Sequence, residues 1–450
     1  MSKLDELIKK LCPDGVEYKN LSEVAEYVRG LTYGKTDELN TEWEKGIPVL
    51  RANNITLGIN KLNFDEVKYV KRSVKIKDNQ FLAKDDILIC AGSGSKEHVG
   101  KVAFINENLP YAFGGFMAVI RAKKPISLLP RYIYHNLTGK RFRRHIGFTI
   151  DSATINNLNA RIVGSFKIPV PPLEVQREIV KILDNFTELT AELTAELTAR
   201  KKQYEYYRNR LLTFDTASHI KKVKLGDVAK VTKLAGFEFT KYVTYAEKGH
   251  IIALRGLNVK NGNLDLCDVK YIDGSDLSKL ERSKLHVGDM LFTYVGTIGQ
   301  VALIDKEDTY YLAPNVALIR VDKNVLLPEY MRFYFQSSLF WDTQIKRLLQ
   351  SSSMKNIPME KIRKFELLVP PIDVQRRLVH VLDNFDKVCN DLHIGLPAEI
   401  EARKKQYEFY RDSLLTFLEK GESILTDRQT DRQTDRQTDR QTDRTEVRPD

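Results

Sequence analysis

Residues 170–186 read VPPLEVQREIVKILDNF, and residues 369–385 read VPPIDVQRRLVHVLDNF. Each is followed by a second shared string, ARKKQYEYYRNRLLTF from Ala199 and ARKKQYEFYRDSLLTF from Ala402. A period of about 200 residues far exceeds the roughly 20–50 residues of a solenoid unit, so a whole module has been duplicated. Each module is a globular part followed by a helical cassette. The predicted fold is α+β: two similar mixed α/β domains separated by two long helices that form an antiparallel coiled coil, with a pseudo-two-fold relation.

The cassettes carry their own start, seam and break. Pro171 and Pro172 stand where a helix begins, a position that tolerates the missing N–H. Leu193, Leu197, Tyr204, Tyr207, Leu211 and Phe214 follow alternating 4- and 3-residue spacing, with Arg200 at the remaining seam position. Tyr407, Tyr410, Leu414 and Phe417 keep that register in the second copy, with Arg403 in place of Arg200. Such spacing is a coiled-coil seam. A helix from Leu173 to Phe214 spans about 60 Å. The second must break near Gly395-Leu396-Pro397, because proline removes a backbone bond and clashes with the preceding turn. Inside the first cassette Thr-Ala-Glu-Leu occurs twice, at 190–193 and 194–197. One unit extends a helix by about 6 Å and rotates its end by roughly 40°, so it lengthens the spacer while nearly keeping its face.

Outside the cassettes the chain alternates short apolar runs with turns. Gly46–Leu50, Asp86–Ile89 and Gly100–Ile105 read as strands, and Ile251–Leu254, Asp289–Phe292 and Val301–Ile304 repeat them in order. Helical stretches follow at Pro130–Phe148 and Pro328–Leu349. The boundaries drawn are 1–168 and 216–368 for the globular parts, 169–215 and 369–418 for the cassettes, and 419–450 for a tail. The globular parts have diverged strongly and the cassettes have not, so constant helices carry variable heads.

A formal charge of +11 favours a polyanionic partner. No apolar stretch approaches a membrane span, and the opening MSKLDELIKKLCPDG lacks a signal core, so a cytoplasmic location is expected. Cys12, Cys90, Cys267 and Cys389 are scattered, without zinc or disulfide spacing.

The doubled V-P-P-x-x-V-Q-R motif, the A-R-K-K-Q-Y-E-x-Y-R helix ends, the Thr-Ala-Glu-Leu repeat and the opening Cys12-Pro13-Asp14-Gly15-Val16-Glu17-Tyr18 closely resemble specificity subunits of type I restriction–modification systems. The resemblance covers essentially residues 1–418. It implies that each head is a target recognition domain reading one half of a bipartite, asymmetric double-stranded DNA site. The helices then serve as a ruler between the halves, with the repeat number linked to the unread gap. It further implies docking of two adenine-N6 methyltransferase subunits and, for restriction, of motor-nuclease subunits. S-adenosylmethionine, ATP and Mg would be held by those partners and none by this chain. The docking candidates are Val175, Gln176, Arg177, Arg200, Lys201 and Tyr204 in the first cassette. In the second they are Val374, Gln375, Arg376, Arg403, Lys404 and Tyr407. Near-identity of these positions suits a shared protein partner better than two different half-sites.

No catalytic or metal constellation is expected. The Pro-Pro pairs lack the N/D-P-P-Y/F loop of an aminomethyltransferase, and Ala91-Gly92-Ser93-Gly94-Ser95-Lys96 does not match a P-loop. DNA readout needs Arg, Lys, Asn or Gln at base edges, with Ser, Thr and more Lys on phosphates. The first head offers Arg141, Arg143 and Arg144, then the loop bearing Ser152, Thr154 and Asn156. The second offers Lys346 and Arg347, then Ser352, Ser353 and Lys355. Arg51, Asn53 and Asn54, matched by Arg255 and Asn258, form a weaker set. A stand-alone DNA-binding regulator without methyltransferase partners is the alternative, and the constant cassettes argue against it. A coiled-coil scaffold without DNA specificity leaves the basic charge and the diverged heads unexplained.

The tail repeats Thr-Asp-Arg-Gln from Thr426 to Arg444 and is expected to be disordered. A tandem GACA tract encodes it when read GAC-AGA-CAG-ACA. Slippage of such a tract changes the reading frame, so phase-variable expression or C-termini are expected.

Overall fold

The computed structural model describes residues 3–417, apart from 40–45, 59, 124–126, 151–156, 215–219, 235, 351–355 and 391–394. The tail at 419–450 lies outside the described residues. The chain divides into two compact units, one of residues 1–191 with 401–450, the other of residues 192–400. Each unit therefore holds one head, the start of the cassette that follows it, and the end of the other cassette.

In the first head an antiparallel sheet has the order Ala25–Arg29, Met117–Ala122, Ile87–Cys90, Val102–Phe104. The central ILIC strand is apolar throughout because both of its faces are covered. Side chains alternate across a strand, so Ile87 and Ile89 join the core under the helices. Leu88 and Cys90 join a second core with Leu50, Phe113 and Met117. A second sheet packs there, with strands ordered Glu38–Leu39, Lys68–Val70, Ile47–Leu50, Ala112–Phe113.

The second head repeats the main sheet as Ala229–Lys233, Val316–Val321, Met290–Thr293, Val301–Leu303. Met290 and Phe292 face one core and Leu291 the other. In both heads the central strand carries an acid just before it, locked to an arginine on the neighbouring strand. Asp86 accepts from Arg121 at 2.6 and 2.7 Å, and Asp289 from Arg320 at the same two distances. These bidentate pairs fix the same register, Ile87 opposite Ile120 and Met290 opposite Ile319.

The cassettes begin where proline stops a strand. Glu17–Asn20 pairs with Lys167–Val170, and Lys221–Lys224 with Glu366–Val369, each leading into Pro-Pro. The first cassette helix is Leu173–Leu212. The second is divided into Ile372–Asn390 and Leu396–Leu414, with Pro397 in the first turn of the latter, where its ring is tolerated.

The motif glutamine joins each cassette to its head. Gln176 Oε1 accepts the Leu129 N–H at 2.8 Å, an orphan donor ahead of helix Pro130–Thr138, while Nε2 donates to Ser127 and Pro171 carbonyls. Gln375 does the same for Leu327 N–H, at 2.8 Å, and for the Val325 and Pro370 carbonyls.

The cassette ends also pack on heads. Tyr204 and Leu212 lie in the core of the second head, and Leu415 in that of the first, with Tyr407, Leu414 and Phe417 against it. Phe186 stacks on Tyr410 at 5.3 Å between centroids within the first unit, and Tyr207 on Phe385 at 6.0 Å within the second. The start of each cassette thus meets the end of the other. Among the described residues no helix is long and apolar enough to cross a membrane.

Candidate nucleic-acid interface

Two asparagines expected to read bases are structural instead. Asn54 and Asn258 are fully buried. Asn54 Oδ1 accepts the Arg51 N–H at 2.8 Å and its amide donates to the Asn63 carbonyl. Asn258 accepts from Arg255 N–H at 3.0 Å and donates to the Asp265 and Asp268 carbonyls. The oxygen of each amide is spent closing a 3-10 turn and the nitrogen on carbonyls of the segment that follows, so none of it is left to meet a base. The arginines that open those turns remain half-exposed. Arg255 is tied to Asp268, with an Nη2–Oδ1 distance of 2.9 Å. Arg51 lines a groove of about 680 Å³ with Arg29, Tyr33, Asn53, Ser93 and Phe116.

Gly92, Gly114 and Gly115 also line this groove, and Gly114 packs against Gly30 beneath it. A Cβ on Gly30 would lie 2.1 Å from the Gly114 carbonyl oxygen, so only glycine lets strand and turn approach there. Arg29 lies along the same turn, its Nε donating to the Gly115 carbonyl at 3.4 Å. Phe116 stands at the turn's tip with 69% of its surface exposed. Asn53 is exposed and donates to Glu66.

A second groove of about 510 Å³ lies across the loop that follows the central strand. Gly92 and Ser93 of this loop border the first groove, and Lys96 and Glu97 line the second together with Arg143. Arg143 and Arg144 are exposed on helix Lys140–Ile150. Arg141, by contrast, packs inward. Its guanidinium lies 5.0 Å from the centroid of the Tyr18 ring and 5.9 Å from that of Phe166, and it donates to the Leu415 and Lys167 carbonyls. It holds the cassette end to the head, which removes it as a DNA contact.

Ser152, Thr154 and Asn156, and Ser352, Ser353 and Lys355, lie outside the described residues. Their segments rejoin the heads at equivalent points: Gly92 bridges to Asn157 and Val295 to Asn356. In the second head Lys346 and Arg347 are exposed, Lys346 lying 3.6 Å from Asp342. The turn that carries Phe116 in the first head holds Asn315 in the second, at a φ of 70°. Lys233 stands for Arg29.

The docking candidates divide by burial. Val175, Gln176, Tyr204 and Gln375 are inside, which removes them from any partner surface of the folded chain. Tyr407 donates to His135 Nδ1 at 3.2 Å, and His135 donates from Nε2 to Asp184 at 2.8 Å, so this tyrosine serves the first head. Burial holds the His135 imidazole below its ordinary pKa, outweighing the opposing pull of Asp184. Val374 and Arg403 are half-buried, while Arg177, Arg200, Lys201, Arg376 and Lys404 are exposed. Periodicity overlooked Tyr206 and Phe409, equivalent residues off the seam with 57% and 68% exposure. Their signal was aromatic identity at matched positions outside the apolar register.

Two similar heads, each packed on parts of both duplicated cassettes, make a two-headed protein built from one repeated module. The family described as the type I restriction modification DNA specificity domain matches residues 13–200 and again 218–402. The provisionally named type I restriction enzyme specificity subunit of Haemophilus influenzae is 31% identical over 417 residues, covering 89% of this chain and 96% of that one. The specificity subunit of the type I restriction enzyme EcoKI from Escherichia coli K12 is 28% identical over 393 residues, covering 82% and 81%. In fold, the chain is similar to one from a type I restriction–modification assembly, with a TM-score of 0.58, 14% identity and coverage of 90% and 98%. The chain belongs to the type I restriction–modification DNA specificity family. Its role there is to direct the system to DNA, not to catalyse.

Proposed function

We propose that each head reads one half of a bipartite, asymmetric DNA site and that the cassettes seat two copies of one adenine methyltransferase subunit. Restriction–translocase subunits then join that core. The observation carrying this reading is a shared frame with unlike surfaces. Gln176 and Gln375, and the pairs Asp86–Arg121 and Asp289–Arg320, are the same in both heads. The groove residues differ: Arg29 against Lys233, Phe116 against Asn315, and Arg51 against an Arg255 held by Asp268. Equal frames with unequal surfaces suit two different half-sites.

The exposed cassette residues are repeated instead: Arg177 with Arg376, Lys201 with Lys404, Tyr206 with Phe409. Repeated cations around an exposed aromatic suit two copies of a single partner. S-adenosylmethionine, ATP and Mg belong to those partners, and the assembly works in the cytoplasm. A GACA tract encoding the tail would make the C-terminus phase-variable; a gene with mixed, non-GACA codons there would sink that part. Co-expression with the adjacent methyltransferase gene, followed by single-molecule sequencing of the host DNA, tests the whole. Methylated adenines in a split motif are expected. Specific binding by the chain alone, with no methylation on co-expression, would favour the stand-alone regulator.

A further inference from the structure

We propose that Phe116 is the base-contacting residue of the first head, its ring stacking on or wedging into a base step while Arg29 and Arg51 hold the flanking phosphates. This rests on the reading of the heads as DNA-binding. The ring is 69% exposed at the tip of the Gly114-Gly115-Phe116 turn, so it forgoes burial that a bound surface would supply. An isolated exposed aromatic carries little meaning, but this one borders a groove whose other walls include two arginines. Arg51 is half-exposed on the groove wall, and the exposed Arg29 is steadied against the Gly115 carbonyl. Cations around an aromatic face match a polyanion that also presents flat apolar rings, which is nucleic acid. Gly92, Gly114 and Gly115 line the same groove and place no side chain in it. The second head has Asn315 at this position, an amide suited to hydrogen-bonding a base edge. The two halves of the target are therefore read by different chemistry at the same place in the fold.

The test uses the full chain assembled with its methyltransferase subunits, and the split site defined by sequencing the DNA it methylates. Binding of Phe116→Ala and Phe116→Trp is titrated over a salt series on the intact site, on duplexes with either half scrambled, and on a random duplex. Phe116→Ala is expected to weaken binding to the intact site by about ten- to a hundredfold and to abolish discrimination at one half only. The slope of log affinity against log salt stays unchanged, because no phosphate contact is lost, and Phe116→Trp retains discrimination. Unchanged affinity for the intact site would overturn the proposal, as would an equal loss on the random duplex or a shallower salt slope. If the wild-type complex recognises no split site, the two-half reading falls with it. If the wild type does and Phe116→Ala behaves identically, only the role of Phe116 falls.

Discussion

The Tyr18 hydroxyl donates to the Phe417 carbonyl at 2.7 Å and accepts the Phe417 N–H at 3.3 Å, across 399 positions of sequence. The first head is completed by the end of the second cassette, as the second head is completed by the end of the first. Asp412 Oδ1 accepts the Lys140 N–H at 3.2 Å, and its counterpart Asn209 accepts the Ser338 N–H at 2.9 Å. Near-identity of the two cassette ends therefore has a cause inside the chain, since both must fit equivalent helices of two heads.

Removing the tether weakens the first unit. Tyr18→Phe is expected to cost about 1 kcal/mol in denaturant unfolding of the full chain. Ending the chain at Ile400 strips away Tyr407, Leu415 and Phe417, and costs far more. Hydrogen exchange should then show lost protection in residues 1–191 and retained protection in residues 192–390. Uniform loss would contradict separate completion of the units.

Gln176→Ala leaves the Leu129 N–H and two carbonyls without their partner in a buried place. A destabilisation of about 2–4 kcal/mol is expected. Gln375→Ala should act equally on the second unit, and the double variant should be additive because the two latches share no partner. Normal stability with impaired methyltransferase binding would restore these glutamines to a docking role.

His135 gives the first unit a pH dependence; Phe333 occupies the equivalent place in the second. Burial depresses the folded pKa of His135 below 6.5, whereas the unfolded chain takes up a proton near that value. The unfolded state then binds more protons, so stability is complete above about pH 6.5 and declines as pH falls towards the folded value. Asp184 enters only lower. Burial pushes its carboxyl up, but His135 and Arg131 outweigh this and hold it below 3.8, so its contribution is lost at more acid pH. His135→Phe should flatten the loss of stability between pH 7 and pH 5, measured by urea unfolding at each pH. A slope equal to wild type would place the titrating group elsewhere.

One further Thr-Ala-Glu-Leu unit after Leu197 adds about 6 Å of helix, close to two base pairs of duplex. The unread gap of the methylated motif should lengthen by about that amount while both half-sites stay the same. An unchanged gap would refute the ruler.

Much of the frame was legible because local rules decide it. The runs at 47–50, 87–90 and 102–104 became strands, as short apolar runs between turn residues imply, and the helix from Leu173 ended at Leu212, two residues before the expected Phe214. Pro397 divided the second cassette because no tertiary contact can restore a missing N–H. The site was less legible. Arg141 and Arg143 are indistinguishable as letters in one basic helix, yet one stacks on Tyr18 and the other lines an open groove. Asn54 carries the donor and acceptor of a base reader, and both are consumed by backbone.

The sequence by itself determined that two modules exist, where each cassette starts, and that the heads differ, because duplication and helix or strand periodicity are written in adjacent residues. Only the tertiary structure decided which cassette end completes which head, and which cations and aromatics face outward. Those outcomes depend on contacts between residues hundreds of positions apart, as between Tyr18 and Phe417. Whether a polar group is already satisfied by its own chain is a property of that packing, and no spacing in the sequence encodes it.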